Sequence, residues 1–499
     1  MRKITSIISM IGLLFINNIS IAQDFKFGKI SEEKGQRLKG VVGQIGNSVY
    51  TTSFKGDNLF INKCSAETMV IESSEMISTD NMDLKKYSWD VLKVDNKIVF
   101  IIAVWDRDAP NKIYGKILVD GDGKIKTGGN LKLITEWKSP DYKGKKLTMG
   151  RDIKIISSEE VDGLSSANNK ILVYYVHFAM ISATNGNKDL LMSCVIIDKD
   201  LNKTDEQYSE FDEIEEYHLS EPKMDVEGNF YSVMRGFNHT TRDTHFYSLI
   251  YDAKSKKLNQ KIISLNKFKS GEAPTGMGNY TINAKNNFLF TGLYGDYGKY
   301  GVLTAKGFCG FELNVKGECI YDYMLFSEDM FNKPNPGSEK NTVSYYSRVA
   351  VGLTKNYIII CNPIVGLNKK GASKGKKVTD YAVVKWENTK FKIVKTYSTE
   401  FITSGDLSET IKPTFIESKD KLFMITAPYK DNCEALNLQK PSEEVCLLTS
   451  FDLTGGAKTT FLYNIDKPNP IPRYNYKLKD GSLVMWGNED QAPVKISFK

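Results

Sequence analysis

Arginine is scarce in this chain, and its placement is uneven. Seven arginines follow the first few residues, and Arg151, Arg348 and Arg473 each precede an apolar run that ends in a polar turn. Trp89, Lys223, Tyr280 and Lys412 stand at comparable points before other such runs. A guanidinium presents a planar fork of N–H donors that matches a carboxylate or a phosphate. Gathered in one place, these residues would hold an anionic ligand. The competing assignment pairs the same cations with Asp90, Asp152 and Glu221, as a structural network.

Other chemistry has less support. The four histidines are His177, His218, His239 and His245, and only "NHTTRDTH" brings two of them near an acid, Asp243. No carboxylate pattern completes a metal site there. "DGDGKI" at 120–125 lacks the third ligand and terminal Glu of a calcium loop and reads as a hairpin turn. No nucleophile elbow, phosphate loop or dinucleotide fingerprint sits in a fitting context. No cofactor and no metal is expected. "LYGDYGKYG" spaces Tyr294, Tyr297 and Tyr300 as rings able to meet a sugar or a protein surface, in a chain of 26 tyrosines. "GLNKKGASKGKKVTD" reads as a solvated lysine loop carrying Lys369, Lys370, Lys374, Lys376 and Lys377, and "EFDEIEEYHLSE" as a solvated acidic connection.

The elements that would position these groups are strands. Short runs rich in Val, Ile, Tyr and Phe recur between Gly, Asn and Asp, with little helical periodicity. One unit repeats: a polar turn, then an apolar strand, near Asn47, Asn96, Asn169, Asn229, Asn287, Asn356, Asp420 and Gly481, at intervals of 49 to 73 residues. Each is followed by a variable loop and a strand pair, as in "GFCGFELNVKGECIYDYML" and "YAVVKWENTKFKIVKTY". With the strand before each turn, a unit holds four antiparallel strands.

Such units resemble the blades of a β-propeller, in which radial repetition leaves only short, protected edges. The resemblance implies an all-β fold over residues 23–499 with eight four-stranded blades, seven blades plus an irregular amino-terminal segment being the alternative. No Trp-Asp, kelch or Asp-box signature ties it to a characterised family. The last unit, from Lys477 to Lys499, has three strands only. "FKFGKI", Phe25 to Ile30, alternates apolar and polar and has no partner in its own unit, so it is expected to close the ring as the outer strand of the final blade. A propeller would bring Arg151, Arg348, Arg473, Trp89, Lys223, Tyr280 and Lys412 to one rim of its channel, on the face where the loops between second and third strands return.

Residues 1–22 read as a signal peptide: Arg2 and Lys3, the apolar run Ile4 to Ile16, then Ser20-Ile21-Ala22. The run is shorter than the roughly 20 residues that span a bilayer. A periplasmic or extracellular protein follows, with no membrane span, and its removal lowers the formal net charge from +7 to +5. That excess is too small and too dispersed for a nucleic-acid binder. Of seven cysteines, Cys433 and Cys446 flank one polar loop and are the expected disulfide, while Cys309 and Cys319 should not face each other across their hairpin. Cys64, Cys194 and Cys361 read as small buried hydrophobes. The function expected is a monomeric binding or scaffold propeller that recognises a protein partner or an acidic glycan on its loop-rich face. The alternative is a glycan hydrolase or lyase with its acids in the channel mouth. Intact-mass analysis of the exported protein should give a chain beginning at Gln23, and a mass that retains Met1 would overturn the signal peptide.

Overall fold

Short polar side chains close the hairpins of this fold. The Asp225 carboxylate accepts the backbone N–H of Glu227 and of Asn229, each at 2.9 Å. Asn283 accepts those of Lys285 at 2.9 Å and Asn287 at 3.1 Å, and Asp480 accepts that of Ser482 at 2.9 Å. An acceptor two residues upstream reverses the chain without help from the sheet, and in blades 4 and 5 the repeat residues Asn229 and Asn287 are the ones whose N–H groups these side chains hold. In the computed structural model of the chain the described residues are 24–27, 36–104, 111–137, 148–149, 153–157, 170–180, 188–214, 216–220, 222–238, 243–264, 272–283, 285–297, 303–325, 350–354, 356–367, 373–387, 390–403, 414–418, 421–425, 446–462, 470–487 and 493–497.

These turns build eight antiparallel sheets arranged as the blades of a ring, an eight-bladed β-propeller. Blade 1 covers 36–76 and blade 2 covers 88–137; blades 3 to 7 follow in chain order, and blade 8 covers 470–497. In each blade the first strand pairs with the second, the second with the third and the third with the fourth. First strands touch first strands in sequence from blade 8 through blade 1 round to blade 7, so they line the axis. The innermost strand is broken in two blades, into Thr148–Met149 and Lys154–Ser157 in blade 3, and into Glu216–Leu219 and Lys223–Met224 in blade 4. Pro222 stands in the second gap, where its missing N–H leaves the ladder unbonded.

The core is distributed among the seams between blades. Val99, Ile101 and Ile113 of blade 2 meet Ile171, Val173 and Val195 of blade 3. Tyr231 and Ile250 of blade 4 meet Phe288, Phe290 and Phe311 of blade 5, with Phe290 and Phe311 stacked at 4.5 Å. Blades 7 and 8 join through Phe423, Ile425 and Leu448 against Met485, Val494 and Ile496. Each fully buried aliphatic or aromatic side chain contributes about 1.5 to 3 kcal/mol, so every seam is a small core of its own. The seam of blades 8 and 1 adds polar ties to Val49, Cys64 and Val484. Lys495 Nζ donates to Asp480 at 2.7 Å and to the Ala66 carbonyl at 2.9 Å, and the Lys479 N–H donates to Gln44 Oε1 at 2.9 Å.

The ring is closed by the amino-terminal strand. Asp24–Phe27 pairs antiparallel with the third strand of blade 8, Asp24 opposite Ser497 and Phe27 opposite Val494. The expected closing strand ran from Phe25 to Ile30; residues 28–30 lie outside the described residues. Three local readings need correction. The acidic stretch is strand rather than loop, split between Lys203–Ile214 and Glu216–Leu219. The lysine loop is shorter than expected, because Lys374, Lys376 and Lys377 belong to the strand Ser373–Glu387, whose partner Tyr357–Leu367 extends equally far. Tyr294 lies in Phe288–Tyr297 with 1% exposure, its ring 5.0 Å from that of Tyr323, so it packs in a seam and is closed to a sugar.

The cysteines follow the same logic. Cys309 faces Tyr323 and Cys319 faces Leu313, one step from the expected register. Gly317, at φ 73°, adds a left-handed residue to the turn and shifts the pairing. Cys64, Cys194, Cys309 and Cys319 are free, and burial pushes the thiols of Cys64 and Cys194 up to about 12. Cys433 lies outside the described residues, and with it the expected bridge to Cys446. Deleting Asp24–Phe27 bares the edge of Pro493–Ser497, so the variant should melt at lower temperature and associate with itself. Calorimetry and light scattering against a deletion of residues 368–372 check this, and equal behaviour of the two would refute closure by this strand.

Candidate functional site at the channel mouth

The two faces of the ring differ. On one, innermost strands end in the Asx turns described above. On the other they begin, and there the tight turn between the second and third strands of blade 1 lies beside the connection 77–87 leading to blade 2. Asp57 of that turn and Lys85 of the connection form a surface ion pair at 2.7 Å. Most other second-to-third-strand connections of this face lie outside the described residues.

Trp89 opens the mouth end of Ser88–Val94, the innermost strand of blade 2. Its indole N–H donates to the Leu84 carbonyl at 3.0 Å, and its ring packs edge-on against Phe54 at 5.7 Å and tilted against Phe100 at 6.1 Å. The Lys39 ammonium rests 3.3 Å from the ring centroid, a close cation–π contact. Trp89 therefore anchors a seam and carries a cation on its face. Lodged on the ring, that ammonium loses hydration, which pulls its pKa below the ordinary lysine value, with the Asp90 charge acting against the shift. Asp90 is the neighbouring strand residue, on the opposite side of the pleat. Burial pushes its carboxyl pKa up, opposed by the Lys39 charge and by the Val91 N–H, which donates to it at 2.8 Å.

Lys39 occupies a bulge, where the pairing of Gln36–Ile45 skips from Leu38 to Gly40. Arg473 lies in a wider one. The innermost strand of blade 8, Pro470–Lys477, pairs at Ile471 and next at Asn475, leaving Pro472, Arg473 and Tyr474 outside the ladder. Bulges concentrate near functional sites because they turn residues out of the regular pleat. Thus two cations of adjacent blades stand at interruptions of innermost strands.

The remaining members of the sequence-derived set divide. Arg151, Arg348 and Lys412 lie outside the described residues. Lys223 and Tyr280 are on innermost strands but at the turn end. Lys223 pairs with Tyr231 beside the Asp225 turn, and Tyr280 pairs with Phe290 two residues before Ile282, its ring against Phe288 and Phe290. Their strands begin earlier than expected, at Glu216 and Glu272, because Pro222 and Pro274 sit at a break and a bulge rather than in loops. Asp225 is also at the turn face, fully buried and bonded to Asn229, Tyr231 and Asn286, which makes it part of the framework. Among the described residues no group of three His, Cys, Asp or Glu side chains is arranged to hold a metal, and no helix is long and apolar enough to cross a membrane. Lys39 was not anticipated; its signal, a lysine in the first innermost strand, is indistinguishable by sequence from many others.

Replacing Asp90 by Asn tests the balance at this mouth. The raised carboxyl pKa means that ionisation costs the folded state stability, a cost absent below the unfolded pKa and growing as pH rises through the folded one. Asp90→Asn should therefore melt higher than the parent at pH 7 and show no gain at pH 3. A lower melting point at pH 7 would mean that attraction to Lys39 outweighs desolvation.

No family model matches the chain, and no curated protein does. Solved structures similar to it include the WD40 domain of SCAP from fission yeast, with TM-score 0.40, 9% identity, and 95% of this chain and 98% of that one covered. The Dos1 propeller gives TM-score 0.38 at 11% identity over 94% of each chain. The polysaccharide lyase Uly1 gives 0.37 at 10% identity, over 85% of this chain and 91% of that one. These likenesses are too distant to carry any site or activity across, and the chain is an eight-bladed β-propeller on the evidence of its own ring of sheets.

Proposed function

We propose that this chain is an exported, monomeric binding propeller that holds an anionic ligand, the carboxylates of an acidic glycan or of a protein partner, at the loop-rich mouth of its channel. The observation that carries the reading is the pair of bulged innermost strands in blades 8 and 1, with Arg473 in one bulge and Lys39, resting on Trp89, in the other. Each departure from the ladder gives up backbone hydrogen bonds, and a fixed cation near a channel axis is a use for that loss. Arg151 and Arg348 join the proposed site from the same stage of their repeats. Lys39 is exposed, so its ammonium, held on the Trp89 ring, stays open to an incoming carboxylate.

A second reading is supported by one feature, the buried carboxyl of Asp90 with its raised pKa next to Lys39. A carboxyl whose pKa is raised by burial is the kind of acid that a propeller hydrolase or lyase acting on glycans would use. The two readings part on turnover.

The test is a binding and degradation screen of acidic polysaccharides and acidic peptides against the parent, Arg473→Lys and Asp90→Asn. Lysine keeps the charge of Arg473 and removes its fork, and a charge-assisted hydrogen bond contributes about 1.5 to 3 kcal/mol, so affinity should fall roughly tenfold or more. Unchanged binding of every hit in Arg473→Lys would remove that residue from the site. Chain shortening by the parent that is lost in Asp90→Asn would favour the enzyme over the binder.

A further inference from the structure

Trp89 carries a cation on a face that, among the described residues, no other ring covers. Phe290 and Phe311 lie against each other at an interplanar angle of 16°, and Tyr231 and Phe288 at 17°. Trp89 has no partner of that kind: Phe54 meets it at 71° and Phe100 at 48°, so neither lies flat on the indole. What lies over its face is the Lys39 ammonium, 3.3 Å from the centroid. The ring itself is held, because its N–H donates to the Leu84 carbonyl at 3.0 Å.

Lys39 is exposed, and its bulge leaves it with no residue opposite on the second strand. Beside it, a Cβ at Gly40 would meet nothing within 4 Å, so the space next to the lysine is open and its arm has room to leave the ring. An exposed cation–π contact favours the seated position by only about two- to fivefold. A charge-assisted hydrogen bond to a carboxylate is worth roughly tenfold or more, so a carboxylate that reaches Lys39 wins the ammonium from the ring. Its departure uncovers an indole face. The group best able to cover that face is an apolar surface carried by the same ligand, close to its carboxylate.

We infer that this mouth recognises the uronate residues of an acidic glycan: Lys39 takes the carboxylate, and the face of Trp89 that it vacates takes the sugar ring. The inference rests on the anion-binding reading of the mouth and chooses between its two ligands. A hexuronate bears its carboxylate directly on the pyranose ring. In a β-linked glucuronate the ring hydrogens are all axial, so both faces of the sugar are C–H surfaces able to lie on an indole. Charge and flat apolar face are thus joined in one residue, as ammonium and ring are joined at this mouth. An aspartate or glutamate presents its carboxylate on a flexible stem with no such face, and it would use Lys39 alone. Trp89 is then the residue that sets specificity, with Lys39 as its cover until the ligand arrives.

The experiment is calorimetric titration of the whole protein with a β-linked glucuronate oligomer, with the same oligomer after reduction of its carboxylates to alcohols, and with hexaglutamate. The charged oligomer should bind roughly tenfold or more tighter than its reduced form, and severalfold tighter than hexaglutamate. Lys39→Gln should shrink the first difference severalfold, whereas Lys85→Gln, which removes the cation of the surface pair with Asp57 on the same face, should leave it as in the parent. Trp89→Phe should weaken the glucuronate oligomer severalfold and leave hexaglutamate unchanged, and where that variant does not fold the parent comparison of these two probes decides alone. Hexaglutamate bound as tightly as the oligomer, a charged-against-reduced difference that survives Lys39→Gln, or a folded Trp89→Phe that changes both anions alike would each overturn the inference and leave the anion-binding reading standing. Binding of neither anion would sink that reading and the inference with it.

Discussion

Everything in this structure depends on closing a ring of sheets. A blade is a four-stranded sheet with two apolar faces, too small to bury either alone, so each face must find the next blade. Seven seams join neighbours along the chain and one joins blade 8 to blade 1. That last seam carries polar ties of its own, Lys495 to the Ala66 carbonyl and Gln44 to the Lys479 turn, as other seams do with Tyr251 on Asp205 at 2.8 Å and Trp386 on Glu312 at 2.7 Å. Apolar packing is tolerant of small slips between faces. Buried hydrogen bonds are directional, and unmade ones cost more than made ones gain, so they fix the register with which the two ends meet.

The number of blades and the mode of closure were legible because both rest on local chemistry. An Asp or Asn that accepts backbone N–H groups two and four residues on closes the first hairpin of blades 4 and 5, and a polar turn before an apolar strand recurs eight times along the sequence. A last unit with three strands and an orphan strand at the other end give the closure. Strand limits were less legible. Pro222 and Pro274 carry the usual signs of loops, yet one falls in a break within an innermost strand and the other at a bulge. Lys223 and Tyr280 were assigned to the wrong end of their strands for that reason. The register of Cys319 slipped by one because a left-handed glycine adds a residue to a turn that sequence alone makes look tight.

The candidate sites were legible only in part, since they are made by seams rather than by runs. Lys39 meets Trp89 from a different blade. Nothing in the spacing of these residues announces the contact; it arises when two innermost strands come side by side. The interruptions of those strands are the common thread. In a regular ladder the residues of an innermost strand alternate between two seams and none is left for the axis. Skips at Lys39 and around Arg473 break that alternation where cations stand.

The pairing of Asp24–Phe27 with Pro493–Ser497 has a consequence for the order of assembly. Hairpins and seams between successive blades join segments close in sequence, so they form without bringing distant parts of the chain together. The closing strand is the opposite case: it must wait for almost the whole chain to be laid down before its partner exists, and loop closure over that length slows the search. Until then the third strand of blade 8 presents an unpaired edge and blade 1 an uncovered face. The earliest strand in the sequence is thus the last to be placed, and the interval before it docks is the period in which the protein is most open to pairing with another copy of itself.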